Sequence, residues 1–157
     1  MMVATATSTN VLVVNSAFMQ EIKDANPNLI NAMQQLHHVC SSKENILQIS
    51  RQLTKVLNTL RMELALQFAL EESYGYVVVG ESQQQYLSEV AQSTMAEHNT
   101  LYGAITELAE AAEELQYRGV ETEQLSILMD DTRSFSRRLR HHEQAENELI
   151  DQSFHLR

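Results

Sequence analysis

RHHEQAENELIDQSF, Arg140 to Phe154, sets His142 and Glu146 one helical turn apart on an otherwise apolar stripe. At helical spacing that stripe runs Leu125, Leu128, Thr132, Phe135, Leu139, His142, Glu146, Leu149 and Ser153, so the imidazole and the carboxylate point inward. Two such groups at i and i+4 reach a common point, and burying both is costly unless something pairs with them. The partner is a metal ion or a closed hydrogen-bonded pair, and this helix alone does not choose between them.

Working back along the chain, a second stripe runs Ile46, Ile49, Leu53, Val56, Leu60, Leu64, Gln67, Glu71 and Tyr74, with Glu72 beside it. Polar groups again stand where core residues belong. Gly75 need not end this helix, and Gly80-Glu81-Ser82 offers a stop followed by a new N-cap, so the turn is expected there. The third stripe, Leu87, Ala91, Thr94, His98, Leu101, Ile105, Leu108, Ala112 and Leu115, has His98 as its one titratable member. Tyr117-Arg118-Gly119-Val120 closes it and Thr122 is the next N-cap. The first stripe, Phe18, Ile22, Leu29, Met33, Leu36 and Cys40, is interrupted at Asn26-Pro27, an N-cap followed by a proline suited to the first helical position. Ser41 to Asn45 reads as a turn with a capping serine.

Four amphipathic helices with short connections predict an all-α, antiparallel up-down-up-down four-helix bundle over residues 17–157, after a flexible tail over residues 1–16 in which Val11–Val14 is available to dock. The composition agrees: 157 residues with four Gly, one Pro and no Trp make one domain of ordinary size, and strand-like runs are confined to Val11–Val14 and Val77–Val79. A net charge of -10 argues against nucleic acid. The basic group Arg133, Arg137, Arg138 and Arg140 reads as a solvated face with local ion pairs. Cys40 stands alone, which fits a reducing compartment, and no signal or membrane span is visible, so the cytoplasm is the expected location.

In an antiparallel hairpin, residues equidistant from the turn share a level. Around Gly119-Val120 His98 is level with residues 141–142, and around Ser82 Gln67 is level with His98. Gln67, His98 and His142 therefore share a layer, with Glu71 and Glu146 a turn away on the same inward stripes. Two imidazoles and two carboxylates facing one another suit iron, manganese or zinc, whereas the competing arrangement is a closed network of the same four side chains. None of the six histidines has a Glu three residues upstream, so the Glu-x-x-His scheme of ferritin-like di-iron bundles is absent. Neither a nucleophile–base pair nor a phosphate-cradling loop is present, and an enzyme is not expected.

The stretches QFALEESYGY (Gln67–Tyr76), AEHNTL (Ala96–Leu101) and LRHHEQAENELIDQSF (Leu139–Phe154) resemble the hemerythrin-like, or HHE cation-binding, family. That family carries His-x-x-x-Glu-Glu on one helix, a lone His on the next and His-x-x-x-Glu on the last. The resemblance implies a non-haem iron centre with Glu71, His98, His142 and Glu146 as ligands, with a metal ion and dioxygen as partners, and with a role in oxygen or redox sensing or in iron handling. Gln67, Glu72, Tyr102 and His141 form a second tier, Tyr102 as a phenolate donor and His141 off the inward stripe. Two departures reduce the site: Gln67 stands where the family has His, and the first helix brings no His to this level. His37 lies roughly 9 Å before the Ser41–Asn45 turn and Gln67 roughly 36 Å beyond it, while the level-matched residues lie near Met19 and Gln20, with Asp24 the nearest strong oxygen donor. The expectation is an incomplete di-iron site, mononuclear or weakened, that accepts iron or zinc through Glu71, His98, His142 and Glu146 or, alternatively, a family member that has lost its metal and serves as a helical scaffold. Glu143, Glu148 and His155 are expected to face solvent.

Overall fold

The computed structural model describes residues 10–80 and 85–155. It is mostly helical, with a two-stranded antiparallel sheet. In chain order come β1 (Val11–Val14), α1 (Ser16–Asp24), α2 (Pro27–Cys40), α3 (Ile46–Leu70), a π-helical turn (Glu71–Gly75), β2 (Tyr76–Val79), a short 3₁₀ turn (Gln85–Leu87), α4 (Ser88–Arg118) and α5 (Thr122–His155). The apolar stripes bring α2 against α3, α3 against α4, α4 against α5, and α5 back against α2 and α1. The main core lies between them, with Leu36, Leu53, Leu57, Leu60, Leu64, Ile105 and Leu139 among its buried members.

The first helical stripe is split as Asn26-Pro27 requires: α1 ends at Asp24 and α2 starts at Pro27. Asn26 does not cap with its side chain. Its amide donates to Gln67 Oε1 at 3.0 Å, so the break between the two helices is tied to α3. In α1 it is Met19 that is buried, whereas Phe18 is 53 % exposed. The turn before α3 is capped by Asn45, which accepts from the Gln48 N–H at 2.9 Å, and not by a serine. Ser42 serves the turn itself by accepting from the Glu44 N–H.

Two expectations are corrected by the sheet. Residues 11–14 are not tail: Val11, Val13 and Val14 are buried, and β1 pairs with β2 in the register Val11 to Val79 and Val14 to Tyr76. Residues 1–9 lie outside the described residues. The second helix does not run on to Gly80 either, because the helical path ends at Gly75 and a strand follows. The β-branched run Val77–Val79 prefers an extended pleat, and β1 supplies the partner that makes a strand worth more than further helix. Glu81 and Ser82, expected to start the next helix, fall outside the described residues, and α4 begins at Ser88.

Gly75 makes the junction possible. Its carbonyl accepts from the Asn15 N–H at 2.7 Å, and a Cβ there would sit 2.8 Å from Met19 Sδ. A side chain at this position would have to displace the buried end of Met19. Val14, Met19, Tyr76, Leu87, Ala91, Leu149 and Ile150 form a second small core that fastens the sheet and α1 to α4 and α5. Among the described residues, no helix is long and apolar enough to cross a membrane.

Candidate metal centre

Glu71, His98, His142 and Glu146 converge, each offering one ligand atom, with all of these atoms within 4.8 Å of one another. All four are at most 2 % exposed. The π turn places Glu71, α4 places His98, and α5 places His142 and Glu146 at i and i+4. The wider π turn serves His98 twice, because consecutive carboxylates reach opposite edges of one ring. Glu71 Oε1 lies 3.1 Å from Nε2, and Glu72 Oε2 lies 2.7 Å from Nδ1. Such π turns recur at functional sites.

Each imidazole is held at Nδ1 by a carboxylate that is itself about half exposed, His98 by Glu72 at 2.7 Å and His142 by Glu97 at 2.8 Å. That leaves both Nε2 atoms directed at the glutamates: His98 Nε2 is 3.1 Å from Glu71 Oε1 and from Glu146 Oε2, and His142 Nε2 is 3.3 Å from Glu146 Oε1. Ligands on a metal at bond lengths of about 2.1 Å stand roughly 3.0–3.4 Å apart, so these separations suit a metal at their centre. Phe68 stacks on the His98 ring at 4.0 Å and meets His142 edge-on, walling the site with apolar surface. Several polar atoms in the cluster are fully buried yet make no hydrogen bond: Glu71 Oε1, His142 Nε2 and Glu143 Oε2. Glu71 Oε1 and His142 Nε2 have only their ion-pair contacts with His98 and Glu146, and buried polar atoms satisfied this incompletely leave capacity for a ligand.

A further group occupies the cluster, and the stripe pattern did not show it. Lys23 of α1 donates from Nζ to Glu146 Oε1 at 2.9 Å, Glu143 Oε1 at 3.0 Å and Glu71 Oε2 at 3.3 Å, with its side chain 10 % exposed. Glu143, expected in solvent, is thereby drawn into the wall at 19 % side-chain exposure. Lys23 is four residues on from Met19 and shares its inward side of α1, but on a short, half-polar helix that spacing breaks no pattern.

The second tier is redistributed. Gln67 is buried, but its amide is spoken for: Oε1 accepts from Asn26, and Nε2 donates to Glu71 Oε2 at 2.9 Å. It steadies a carboxylate and does not face the cluster as a free donor. Tyr102, expected as the phenolate, is 40 % exposed and lies outside the four-residue cluster. The phenol that arrives is Tyr76, whose O–H donates to Glu146 Oε2 at 2.6 Å, with Thr94 Oγ1 at 2.7 Å. A straight helix would have turned Tyr74 inward; the π turn and strand leave Tyr74 59 % exposed and bring Tyr76 in. His141 is exposed and takes no part. Asp24 accepts from Gln20 instead of reaching the carboxylates.

Electrostatics follow from the crowding. Burial opposes charge on His98, but bonds to Glu146 and Glu71 outweigh it and hold its pKa at about 10. His142 is raised in the same way: burial works against its charge, and Glu146 together with Glu97 prevails. Burial also disfavours charge on Lys23, yet Glu146, Glu143 and Glu71 hold it firmly cationic. The two central carboxylates part company. Burial alone would raise both; Glu146, with His142, His98 and Lys23 around it, is kept well below the usual carboxylate range, and Glu71 is left raised. Tyr76 is raised by burial and by Glu146, so it remains a neutral donor.

No protein-family profile, characterised protein or solved structure matches this chain.

Proposed function

We propose that the chain is a hemerythrin-like metal-binding bundle, with α2, α3, α4 and α5 as its antiparallel four-helix frame and Glu71, His98, His142 and Glu146 as the ligands of a non-haem metal. The observation that carries this reading is the double grip on the imidazoles. Glu72 and Glu97 hold each Nδ1, so the two Nε2 atoms are presented with two buried carboxylates in a cluster only a few ångströms across. A carboxylate behind a ligating histidine fixes its tautomer and orientation. Mixed nitrogen and oxygen donors suit iron first, with zinc and manganese as further candidates. A bound metal would supply Lewis-acid chemistry or, for iron or manganese, one-electron chemistry, which fits oxygen or redox sensing or iron handling. The chain's own part is to orient the imidazoles, to exclude water with Phe68, and to place the Tyr76 O–H on Glu146.

Elemental analysis after anaerobic Fe(II) loading tests this, alongside the His142→Ala variant. The metal should co-purify or load into the wild type and be lost from the variant. A metal that binds only the folded chain stabilises it by RT ln(1 + [L]/Kd), about 2.7 kcal/mol at a hundredfold excess over Kd, so the melting temperature should rise with Fe(II), Zn(II) or Mn(II). One observation favours a second reading: the Lys23 ammonium already neutralises part of the cluster, which makes a metal-free scaffold self-consistent. Melting curves unmoved by all three metals would decide for that scaffold.

A further inference from the structure

Glu71 and Glu146 each turn their two oxygens in different directions. Glu71 Oε1 and Glu146 Oε2 both lie 3.1 Å from His98 Nε2, whereas Glu71 Oε2 and Glu146 Oε1 lie 3.3 and 2.9 Å from Lys23 Nζ. Two carboxylates disposed in this way bridge two positive positions, one beside His98 and one already filled by the chain. We propose that Lys23 is the built-in second cation of a two-cation centre, so that the centre accepts one divalent metal ion, on the His98 side, and keeps the ammonium on the other. This rests on the metal reading above and specifies its stoichiometry.

Charge and anchorage support the assignment. Glu71, Glu143 and Glu146 surround the ammonium, and one divalent ion together with one ammonium balances three carboxylates. A second divalent ion would have to share the ammonium's three oxygens at a few ångströms, where like charges repel strongly. Lys23 is not free to leave: α1 is pinned through Met19 against Gly75 and through the Asn15 N–H to the Gly75 carbonyl. On the other flank, a surface cleft of about 250 Å³ is lined by Glu72 and His98 and does not touch the lysine. His142 Nε2, 3.3 Å from Glu146 Oε1 and 4.0 Å from Glu143 Oε2, stands at the boundary of the two positions. With the ammonium gone, Glu143 and the outer oxygens of the shared carboxylates make an oxygen set for a second ion.

The test is to count Mn(II) ions bound per chain by native mass spectrometry and elemental analysis in the wild type, Lys23→Gln and Lys23→Arg, with electron paramagnetic resonance to distinguish an isolated Mn(II) from a coupled pair. One isolated ion is expected in the wild type and in Lys23→Arg, and two coupled ions in Lys23→Gln. Two ions in the wild type, or a single ion in folded Lys23→Gln, would overturn the proposal while leaving the metal centre standing. Ions in Lys23→Gln but none in the wild type would overturn it too, making the lysine the sole cation. No ion in any of the three would bring down the metal reading itself, and this inference with it. Should Lys23→Gln lose its helical circular dichroism, the wild type alone decides, since saturation at one ion under excess Mn(II) supports the proposal and a second ion refutes it.

Discussion

Glu72 and Glu97 touch no other part of the cluster than the histidine each one holds, and both lie with nearly half of their side chains in water. Their value is in orientation. Glu72→Ala and Glu97→Ala should therefore fold normally and lower metal affinity by about tenfold to a hundredfold, as measured by calorimetric titration with Zn(II) or Mn(II); unchanged affinity would mean that Nδ1 needs no anchor. Tyr76 has the opposite profile, being buried and bonded to Glu146 and beside Thr94. Tyr76→Phe removes a donor to a buried carboxylate and should destabilise the metal-free protein by about 1–3 kcal/mol in urea unfolding. At this scale Glu71, His98, His142 and Glu146 were legible because each interrupts an apolar period. Lys23 and Tyr76 were not, since a lysine on a half-polar short helix and a tyrosine at a strand start break no pattern.

The elements that aim those residues are the small ones. β1 and β2 hold α1 in place, and α1 carries Lys23, so the sheet is part of the site's support and not an ornament at the end of the chain. Val14, buried against Met19 and Tyr76, is the position where this support is most exposed to damage. Val14→Asp buries an unpaired carboxylate there and should cost about 3 kcal/mol or more, with the amides of β1 and α1 losing hydrogen-exchange protection together while α3 and α4 keep theirs. Helix ends behave more locally. Asn45→Ala removes the side-chain cap of α3 and should cost about 1 kcal/mol by the same unfolding assay, with no effect on metal binding. The strands themselves were visible as valine runs at residues 11–14 and 77–79, but each was weighed alone, and an isolated short strand has no ladder to stabilise it.

For the whole molecule, Cys40 reports on integrity. It is buried at the end of α2, its carbonyl accepts from Arg133, and burial pushes its thiol pKa up, only partly offset by the Arg133 charge. The folded state therefore holds the thiol proton more tightly than the unfolded chain. That contribution is complete below the ordinary thiol range and is lost as the pH rises through it. Stability should fall between about pH 8 and 10, and Cys40→Ala should flatten that part of the profile in urea midpoints measured against pH. Thiol reagents should label Cys40 only as fast as the chain opens.

The helical frame and the four polar residues inside it are written in the local order of the residues. Periodicity of 3.6 residues reports which side chains point inward, and turn residues report which levels coincide. Long-range packing is what ends the helix in a π turn at Gly75, pairs two valine runs across some sixty residues and brings Lys23 to one side of the cluster. Those outcomes depend on strand pairing and close packing between segments far apart in the chain, which a local period does not encode.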